Sequence, residues 1–291
     1  MVTLRAGAAV CEVDAEDGGR LASLVVGGEE RLLTRAAATD GKVSSAVVAW
    51  GSFLMAPWIG RLDGGALPWR GRTHHLPPDF EGHAIHGIVK DRRWEVIESS
   101  EAGVELSCQL TEPWPFGGTV RQVISLRPDG LELFAEVAAG DEAMPAGVGW
   151  HPWFARPSQG DLRVRVAGTG TLALRDDLIP TGEVAALTAA TDLRDGPALG
   201  DRLLDDIYAD AGPPAVLTWP DLTLRMDWGH TVNSICVHSP PRGVCVEPQT
   251  SWPNAPALLD AGSSRTGLVT VEPGLPLQAT TTWTWEGARR G

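Results

Sequence analysis

Apolar and polar residues alternate with a period of two along this chain, and this pattern, broken by short turn sequences, is what most constrains its fold. The clearest example is the pair Val120–Leu126 and Leu131–Val137, which flanks the turn Arg127–Gly130, RPDG. Such alternation is typical of strands with one buried face, and Pro-Asp-Gly supplies the dihedral angles of a tight turn. No segment shows the periodicity of a long amphipathic helix. The sequence therefore predicts an all-β protein.

The same alternation predicts further strands in both halves of the chain. They are Leu21–Val26, Val104–Leu110, Leu162–Val166, Thr171–Leu174, Ala215–Trp219, Leu222–Trp228, Ser234–His238, Val244–Glu247 and Leu277–Trp285. Turn sequences predict hairpins around Gly168–Gly170, Pro220–Asp221 and His238–Gly243. The segment Asp192–Asp210, rich in Asp, Gly and Leu, is predicted to be a long loop.

A single domain is expected, because no Gly/Ser-rich or charged linker divides the 291 residues and no fixed-period repeat occurs. Many short antiparallel strands in a chain of this length suit two packed sheets better than a small barrel. The sequence thus predicts one large antiparallel β-sandwich over residues 1–291. It does not determine the oligomeric state, for which a monomer is the default expectation.

The charge balance limits the possible partners. The chain has 24 basic and 37 acidic residues, a formal net charge of −13. Nucleic acids and anionic membranes both require basic surfaces, so neither is expected as a partner. The first residues show no secretory signal and the four cysteines form no CxxC pair, which predicts a cytoplasmic protein. Cys236 and Cys245 flank a predicted turn and are expected to be reduced, buried thiols.

Three titratable residues are candidates for chemistry. Glu247 lies in the apolar strand of GVCVEPQTSWPNA, residues 243–255. A carboxylate in such surroundings must be paired, neutral or held for chemistry, because an unpaired buried charge is unfavourable. His86 in GHAIHGIVKDRRWEV and His151 in GWHPWF are the histidines that stand out, since Gly, Pro or Trp residues flank them.

The tryptophan content favours a sugar ligand. Twelve tryptophans accompany a single tyrosine. An indole face suits stacking on the C–H face of a sugar ring, although a single Trp is more often part of a core. Those within the segments of interest are Trp58, Trp69, Trp150, Trp153 and Trp252.

Neither a metal nor a nucleotide cofactor is expected. His83 and His86 have an HxxH spacing, but no HExxH helix or Cys/His quartet occurs. The adjacent pair His74 and His75 would point in opposite directions on an extended chain. Phosphate-binding and dinucleotide-binding glycine motifs are absent from the sequence as well.

Four segments in order carry a family resemblance. They are APWIGRLDGG at 56–65, AIHGIVKDRRWEV at 84–96, GWHPWF at 149–154 and CVEPQTSWPNA at 245–255. Together they resemble the aldose 1-epimerase (galactose mutarotase) family, especially its aldose-epimerase-like branch. Each segment alone is a weak signal, whereas four in order across most of the chain are specific.

The resemblance implies a galactose-mutarotase-like β-supersandwich that opens and recloses pyranose rings without a cofactor. By position, Glu247 would be the general base at the anomeric hydroxyl and His151 the general acid at the ring oxygen, with His86 assisting. The implied sugar-binding residues are Arg61, Asp205 (with Asp206 as the alternative), Gln249 and Trp153, and the implied pocket wall includes Trp252 and Asn254. Two departures bear on the substrate: Gly60 stands where the family has Asn, and Trp153 where Tyr is usual.

The chemistry itself requires such a pair. Ring opening removes a proton from one oxygen and delivers one to another, so a base and an acid must both be in place. Ordinary pKa values of about 4.3 for Glu and about 6.5 for His leave a window in which Glu247 is ionised and His151 protonated. A bell-shaped pH profile is predicted.

Two other functions stay open at this point. A non-catalytic carbohydrate-binding or sensing module would keep the pocket, but it would not need all three titratable residues. A hexose-6-phosphate 1-epimerase would need basic residues at the pocket rim. Lys90, Arg92 and Arg93 are available for that purpose, although Asp91 lies among them.

Overall fold

Strands make up most of the computed structural model, which describes residues 1–38 and 49–287. Numbered in chain order, they are β1 Val2–Ala6, β2 Ala9–Asp14, β3 Arg20–Val26, β4 Glu29–Glu30, β5 Ser52–Met55, β6 Arg61–Leu62, β7 Ala66–Trp69, β8 Arg72–His75, β9 Ala84–Ile85, β10 Glu95–Ser99, β11 Gly103–Gln109, β12 Thr119–Arg127, β13 Gly130–Ala138, β14 Met144–Ala146, β15 Gly149–Ala155, β16 Arg163–Ala167, β17 Gly170–Leu174, β18 Pro180–Ala186, β19 Asp205–Ala209, β20 Gly212–Thr218, β21 Leu222–Trp228, β22 Ser234–His238, β23 Gly243–Gln249, β24 Val269–Val271 and β25 Leu277–Gly287. The α-helices of the described residues are short, α1 Arg35–Ala38 and α2 Ala255–Asp260. Neither of these helices has the length or apolar character needed to cross a membrane. The all-β prediction is confirmed.

Two large antiparallel sheets form the architecture of the described residues. The larger has eleven strands, in the order β1-β2-β3-β5-β15-β23-β22-β19-β17-β18 with β4 paired to β3. The other has eight, in the order β10-β11-β12-β13-β25-β21-β20-β16. Short two-stranded sheets, β6-β9, β7-β8 and β14-β24, accompany them.

One large hydrophobic cluster joins the two sheets. In β12 of the eight-stranded sheet, Val120 and Ile124 are among the alternate residues that are buried. In β2 of the eleven-stranded sheet, Cys11 and Val13 are buried in the same way. All four belong to a single cluster. Alternate strand residues share a face, so the period-two pattern of the sequence supplies one apolar face per sheet for this core.

The central strands β15 and β23 are buried on both faces. In β23, Val246 belongs to the main cluster, whereas Cys245 belongs to a second cluster that also contains Trp153 of β15. Because side chains alternate along a strand, Glu247 shares the face of Cys245. By the same rule His151 shares the face of Trp153. This outer face of the eleven-stranded sheet carries the candidate site.

Most predicted hairpins are found, but one is wrong. The pairs β12–β13, β20–β21 and β22–β23 are antiparallel neighbours, as predicted. Leu162–Val166 and Thr171–Leu174 correspond to β16 and β17, which lie in different sheets: β16 pairs with β20, and β17 with β18 and β19. The chain crosses between the sheets at Gly168, where a Cβ would lie 2.8 Å from the Tyr208 ring. Glycine signals a crossing and a hairpin turn alike, so the sequence does not distinguish them.

One other expectation changes in detail, and one is confirmed. The predicted loop Asp192–Asp210 is irregular only as far as Leu204, because its last part is the inner strand β19. Cys236 and Cys245 are both free and buried, as expected. They are diagonal rather than opposite, since the register pairs Cys236 with Glu247.

Candidate active site

Glu247 and His151 lie side by side on neighbouring strands. The antiparallel register of β15 and β23 pairs Gly149 with Gln249, and it therefore sets His151 against Glu247. His151 Nε2 is 3.3 Å from Glu247 Oε1, and both side chains are buried. The two groups are thus within reach of a shared proton.

His86 stands edge-on to this pair. Its ring centroid is 4.9 Å from that of His151, with the two planes nearly perpendicular. The backbone of His86 has a φ of +59°, which is uncommon for a residue other than glycine, and its N–H donates to the Gly60 carbonyl. At Gly87 a Cβ would lie 1.9 Å from the Ala56 carbonyl oxygen, so only glycine allows the turn that presents His86.

A cavity of about 290 Å³ brings the predicted site residues together. Its volume is near the lower limit of small-molecule pockets, roughly 300 Å³, which suits a monosaccharide. All seven residues proposed from the sequence line it: Glu247, His151, His86, Arg61, Asp205, Gln249 and Trp153. The convergence of seven residues from separate segments on one cavity makes it the candidate active site.

Burial controls the protonation of the central pair. Burial, aided by the charge of Asp205, raises the pKa of Glu247 well above its ordinary range, and Gln249 Nε2 opposes this by donating to Oε2 at 3.1 Å. Burial also lowers the pKa of His151 to about 3. Burial and the neighbouring His151 lower the pKa of His86 well below its ordinary value, although the residue is only half-buried and lines the cavity.

The protonation window predicted from ordinary pKa values is therefore wrong for this site. The low-dielectric surroundings favour the neutral forms of both partners. When the pair holds a single proton, burial therefore favours its placement on Glu247 over His151.

Asp205 and His238 form a second pair on the cavity wall. They are register partners on β19 and β22, and His238 Nδ1 is 3.5 Å from Asp205 Oδ1. Burial raises the pKa of Asp205, but His238 and Arg61 outweigh it, so the net pKa is lowered. Asp206, the alternative sugar ligand, does not line the cavity.

His238 is a cavity residue that sequence reasoning misses, because it ends a strand and belongs to no motif. A usable signal lies in the predicted hairpin of β22 and β23. Its register pairs Cys236 with Glu247, and His238, two residues along β22, shares the face of Cys236. His238 also packs edge-on against Trp153, with ring centroids 5.5 Å apart.

Most of the five tryptophans singled out in the sequence do not line the cavity. Of the five, Trp153 alone lines the cavity, where its ring stacks on His151 at 5.6 Å. The others lie elsewhere: Trp58 and Trp150 in the main cluster, Trp69 against it, and Trp252 in a third cluster. In the turn after β23, Pro253 lines the cavity, whereas the expected Trp252 and Asn254 do not.

One group of possible metal ligands in residues 1–38 and 49–287 overlaps this site. His151, Cys245 and Glu247 place their ligand atoms within 4.8 Å of one another. Metals bind the thiolate, whereas burial raises the pKa of the Cys245 thiol well above its ordinary value. Cys245 also lies outside the cavity lining. The arrangement fits a proton-transfer pair better than a metal centre.

The three basic residues considered for a phosphate do not line the cavity. Lys90 is buried and paired with Asp79 and Asp91. Arg92 and Arg93 line a different surface groove, beside β10 and β11. The structure thus provides no basic rim from this segment for a sugar phosphate.

Fold and site together define a class of protein: a large β-sandwich with a buried carboxylate–imidazole pair in a cavity of monosaccharide size. The profile of the family described as aldose 1-epimerase matches residues 1–283. The chain belongs to the aldose 1-epimerase family.

Two known proteins match parts of this chain. The chain is 28% identical over 133 residues to the uncharacterised protein YphB of Escherichia coli K12, and 29% identical over 157 residues to galactose mutarotase of Homo sapiens. These matches cover 44% and 50% of this chain and 45% of each relative. The chain thus spans less than half the length of either relative in these matches.

Solved structures share the fold over nearly the whole chain. A putative aldose 1-epimerase from Escherichia coli K12 has a TM-score of 0.85 and 20% identity, covering 98% of both chains. A galactose mutarotase-like protein from Clostridium acetobutylicum has a TM-score of 0.86 and 20% identity, covering 98% of this chain and 94% of its own. The prediction of a galactose-mutarotase-like sandwich is confirmed.

Proposed function

We propose that this chain is a cofactor-independent isomerase that interconverts the α and β anomers of an aldose by opening and reclosing its ring. Membership of the aldose 1-epimerase family supports this type of reaction. The observation that carries the proposal is the 3.3 Å contact between His151 Nε2 and Glu247 Oε1 inside a cavity of sugar size.

In the proposed reaction, Glu247 takes the proton of the anomeric hydroxyl while His151 delivers a proton to the ring oxygen. The bond between C1 and the ring oxygen breaks, and an open-chain aldehyde forms. After rotation about the C1–C2 bond, the two groups exchange roles and the ring closes on the other face. One proton leaves and one arrives in each direction, so the pair ends each cycle as it began.

This step needs Glu247 ionised and His151 protonated, which is the arrangement that burial disfavours. Donors to a carboxylate favour its ionised form, and Gln249 Nε2 already donates to Oε2 at 3.1 Å. A sugar hydroxyl donating to the same carboxylate would add to this effect, so that substrate binding itself prepares the base. His86 lines the cavity with its ring centroid 4.9 Å from that of His151, and there it would help to orient the sugar.

The rest of the cavity would bind the ring. Asp205 and Arg61 offer a carboxylate and a guanidinium for sugar hydroxyls, and Trp153 offers an apolar face. Gly60 contributes no side chain at the position where the family motif that this chain resembles has Asn. This difference bears on which hydroxyl pattern is accepted.

Polarimetry of freshly dissolved α-D-glucose, α-D-galactose and a set of pentoses tests the proposal. Wild-type protein should speed equilibration of at least one sugar, and Glu247→Gln should lower kcat by about 10²–10⁴-fold. Asp205→Asn should raise KM, with Asp206→Asn, outside the cavity, as its matched control. Equal rates for wild type and Glu247→Gln on every sugar would contradict catalysis. Sugar-dependent tryptophan fluorescence without catalysis would indicate a binding module instead.

A further inference from the structure

Arg61 is the only Arg or Lys among the described residues that line the cavity, and it is already paired. Its Nη2 lies 2.9 Å from Glu81 Oε2, and its side chain is 15% exposed. Glu81 lines the same cavity and is 65% exposed. The positive charge that an anionic ligand would seek is thus neutralised at the cavity wall.

The turn that carries Glu81 has an unusual conformation for this residue. Phe80 and His83 exchange two backbone hydrogen bonds, at 3.0 and 2.9 Å. Between them Glu81 and Gly82 have φ values of +48° and +84°. Tight turns with positive φ at both central positions favour Asn, Asp or Gly. Glutamate in this position, beside a cavity, points to a role for its side chain rather than its backbone.

The same turn is held firmly in place. Asp79 Oδ1 accepts from the Ile85 N–H at 2.9 Å, and Asp79 Oδ2 accepts from Lys90 Nζ at 3.2 Å. His83 Nδ1 accepts from the Gly64 N–H at 3.2 Å. The backbone that carries Glu81 is therefore held by hydrogen bonds, and its ion pair with Arg61 does not depend on a freely moving loop.

The charges around the cavity then favour uncharged ligands. With Arg61 and Glu81 cancelling each other, Asp205 is left as a negative charge, with His238 as its neighbour. An incoming carboxylate or phosphate would meet the like charges of Asp205 and Glu81, whose side chains are 43% and 65% exposed, so the repulsion would be screened by salt.

We propose that Glu81 is a specificity determinant: by pairing with Arg61 it makes this site select neutral sugars against sugars that carry a carboxylate or phosphate group. The inference rests on the proposed function for its ligand class, a sugar. Removing the Glu81 charge would free the Arg61 guanidinium for an anionic group.

Binding of D-glucose, D-glucuronate and D-glucose 6-phosphate, followed by tryptophan fluorescence at low salt, tests this. Glu81→Gln keeps the size of the side chain, and Glu81→Asn keeps a residue that tolerates positive φ, so loss of the turn cannot explain a shared effect. Glu272→Gln is the matched control, because Glu272 forms an exposed pair with Arg70 at 3.2 Å outside the cavity.

Wild type and Glu272→Gln should bind glucose at least about tenfold more tightly than either anion. Both Glu81 variants should lower this preference by about tenfold, mainly through tighter anion binding, and 0.5 M salt should reduce the change. Equal binding of glucose and the anions by wild type, or an unchanged preference in both variants, would overturn the role of Glu81.

Binding also separates this inference from the proposed reaction. Wild type could bind glucose selectively, lose that selectivity in Glu81→Asn and yet not accelerate mutarotation. That result would support the role of Glu81 in selectivity and contradict the proposed catalytic function. If none of the three sugars binds wild type or either variant, both proposals fail.

Discussion

At the scale of single residues, Glu247 is the proposed base, and its burial disfavours the ionised form that a base requires. The carboxyl is buried against His151, and its pKa is raised by that burial. In the unfolded chain it would ionise at about pH 4.3, whereas in the folded chain it keeps its proton to higher pH. The native state therefore binds more protons than the unfolded state in that range, and its stability falls as pH rises.

Glu247→Gln should consequently stabilise the protein more as the pH rises. The gain should grow by about 1.4 kcal/mol per pH unit from about pH 4.5 up to the raised pKa of the folded state, because glutamine does not titrate. Urea unfolding at pH 5, 6 and 7 measures it, with Glu98→Gln on the exposed strand β10 as control. A difference between variant and wild type that stays constant with pH would contradict this account.

The sequence was enough to propose which residues meet at the site, but not their protonation states. The strand around Glu247 and the flanked histidines were recognisable from their composition and neighbours. The protonation of the pair depends on burial, which only the folded chain defines. The choice between Asp205 and Asp206 depends on which of two adjacent residues faces the cavity, because successive strand residues point to opposite faces.

At the scale of elements, local hairpins were predictable from the sequence, whereas the central strand β15 was not. The turn between β12 and β13 carries its own chemistry in RPDG. By contrast β15 is buried on both faces and contains Pro152, so it shows neither alternation nor an unbroken β-branched run. Its partners β5 and β23 are distant in sequence, and no local pattern specifies such pairings.

Gly60, which stands where the family motif has Asn, packs closely against the neighbouring turn at Pro253. Gly60 has a φ of +57°, and a Cβ there would lie 2.6 Å from the Pro253 ring. Restoring the family's residue with Gly60→Asn should destabilise the fold by about 1–3 kcal/mol through overpacking, even though asparagine tolerates positive φ.

A matched control for this effect is Gly64→Asn. Gly64 has a φ of +55°, and a Cβ there would have no atom of the described residues beyond its chain neighbours within 4 Å, so the same substitution should be close to neutral. Urea midpoints compare the two variants. Equal midpoints would show that the Pro253 ring can shift to accommodate a side chain at position 60. Packing would then not be the reason for glycine at this position.

At the scale of the whole molecule, one core unites the two large sheets. The main hydrophobic cluster runs from Leu4 in β1 to Trp283 in β25. Neither sheet can expose its inner face without exposing that of the other. We expect a single calorimetric transition whose calorimetric and van't Hoff enthalpies agree, as the prediction of one domain requires. Two resolved transitions would contradict it.

The position of β25 has a consequence for synthesis. Last in chain order among the described strands, it lies in the middle of the eight-stranded sheet, between β13 and β21. Until Leu277–Gly287 leaves the ribosome, those two strands each present an open edge with unpaired backbone groups. Open edges recruit other chains, so the nascent protein is most in need of chaperone protection after β13 and β21 have emerged and before Leu277–Gly287 follows them.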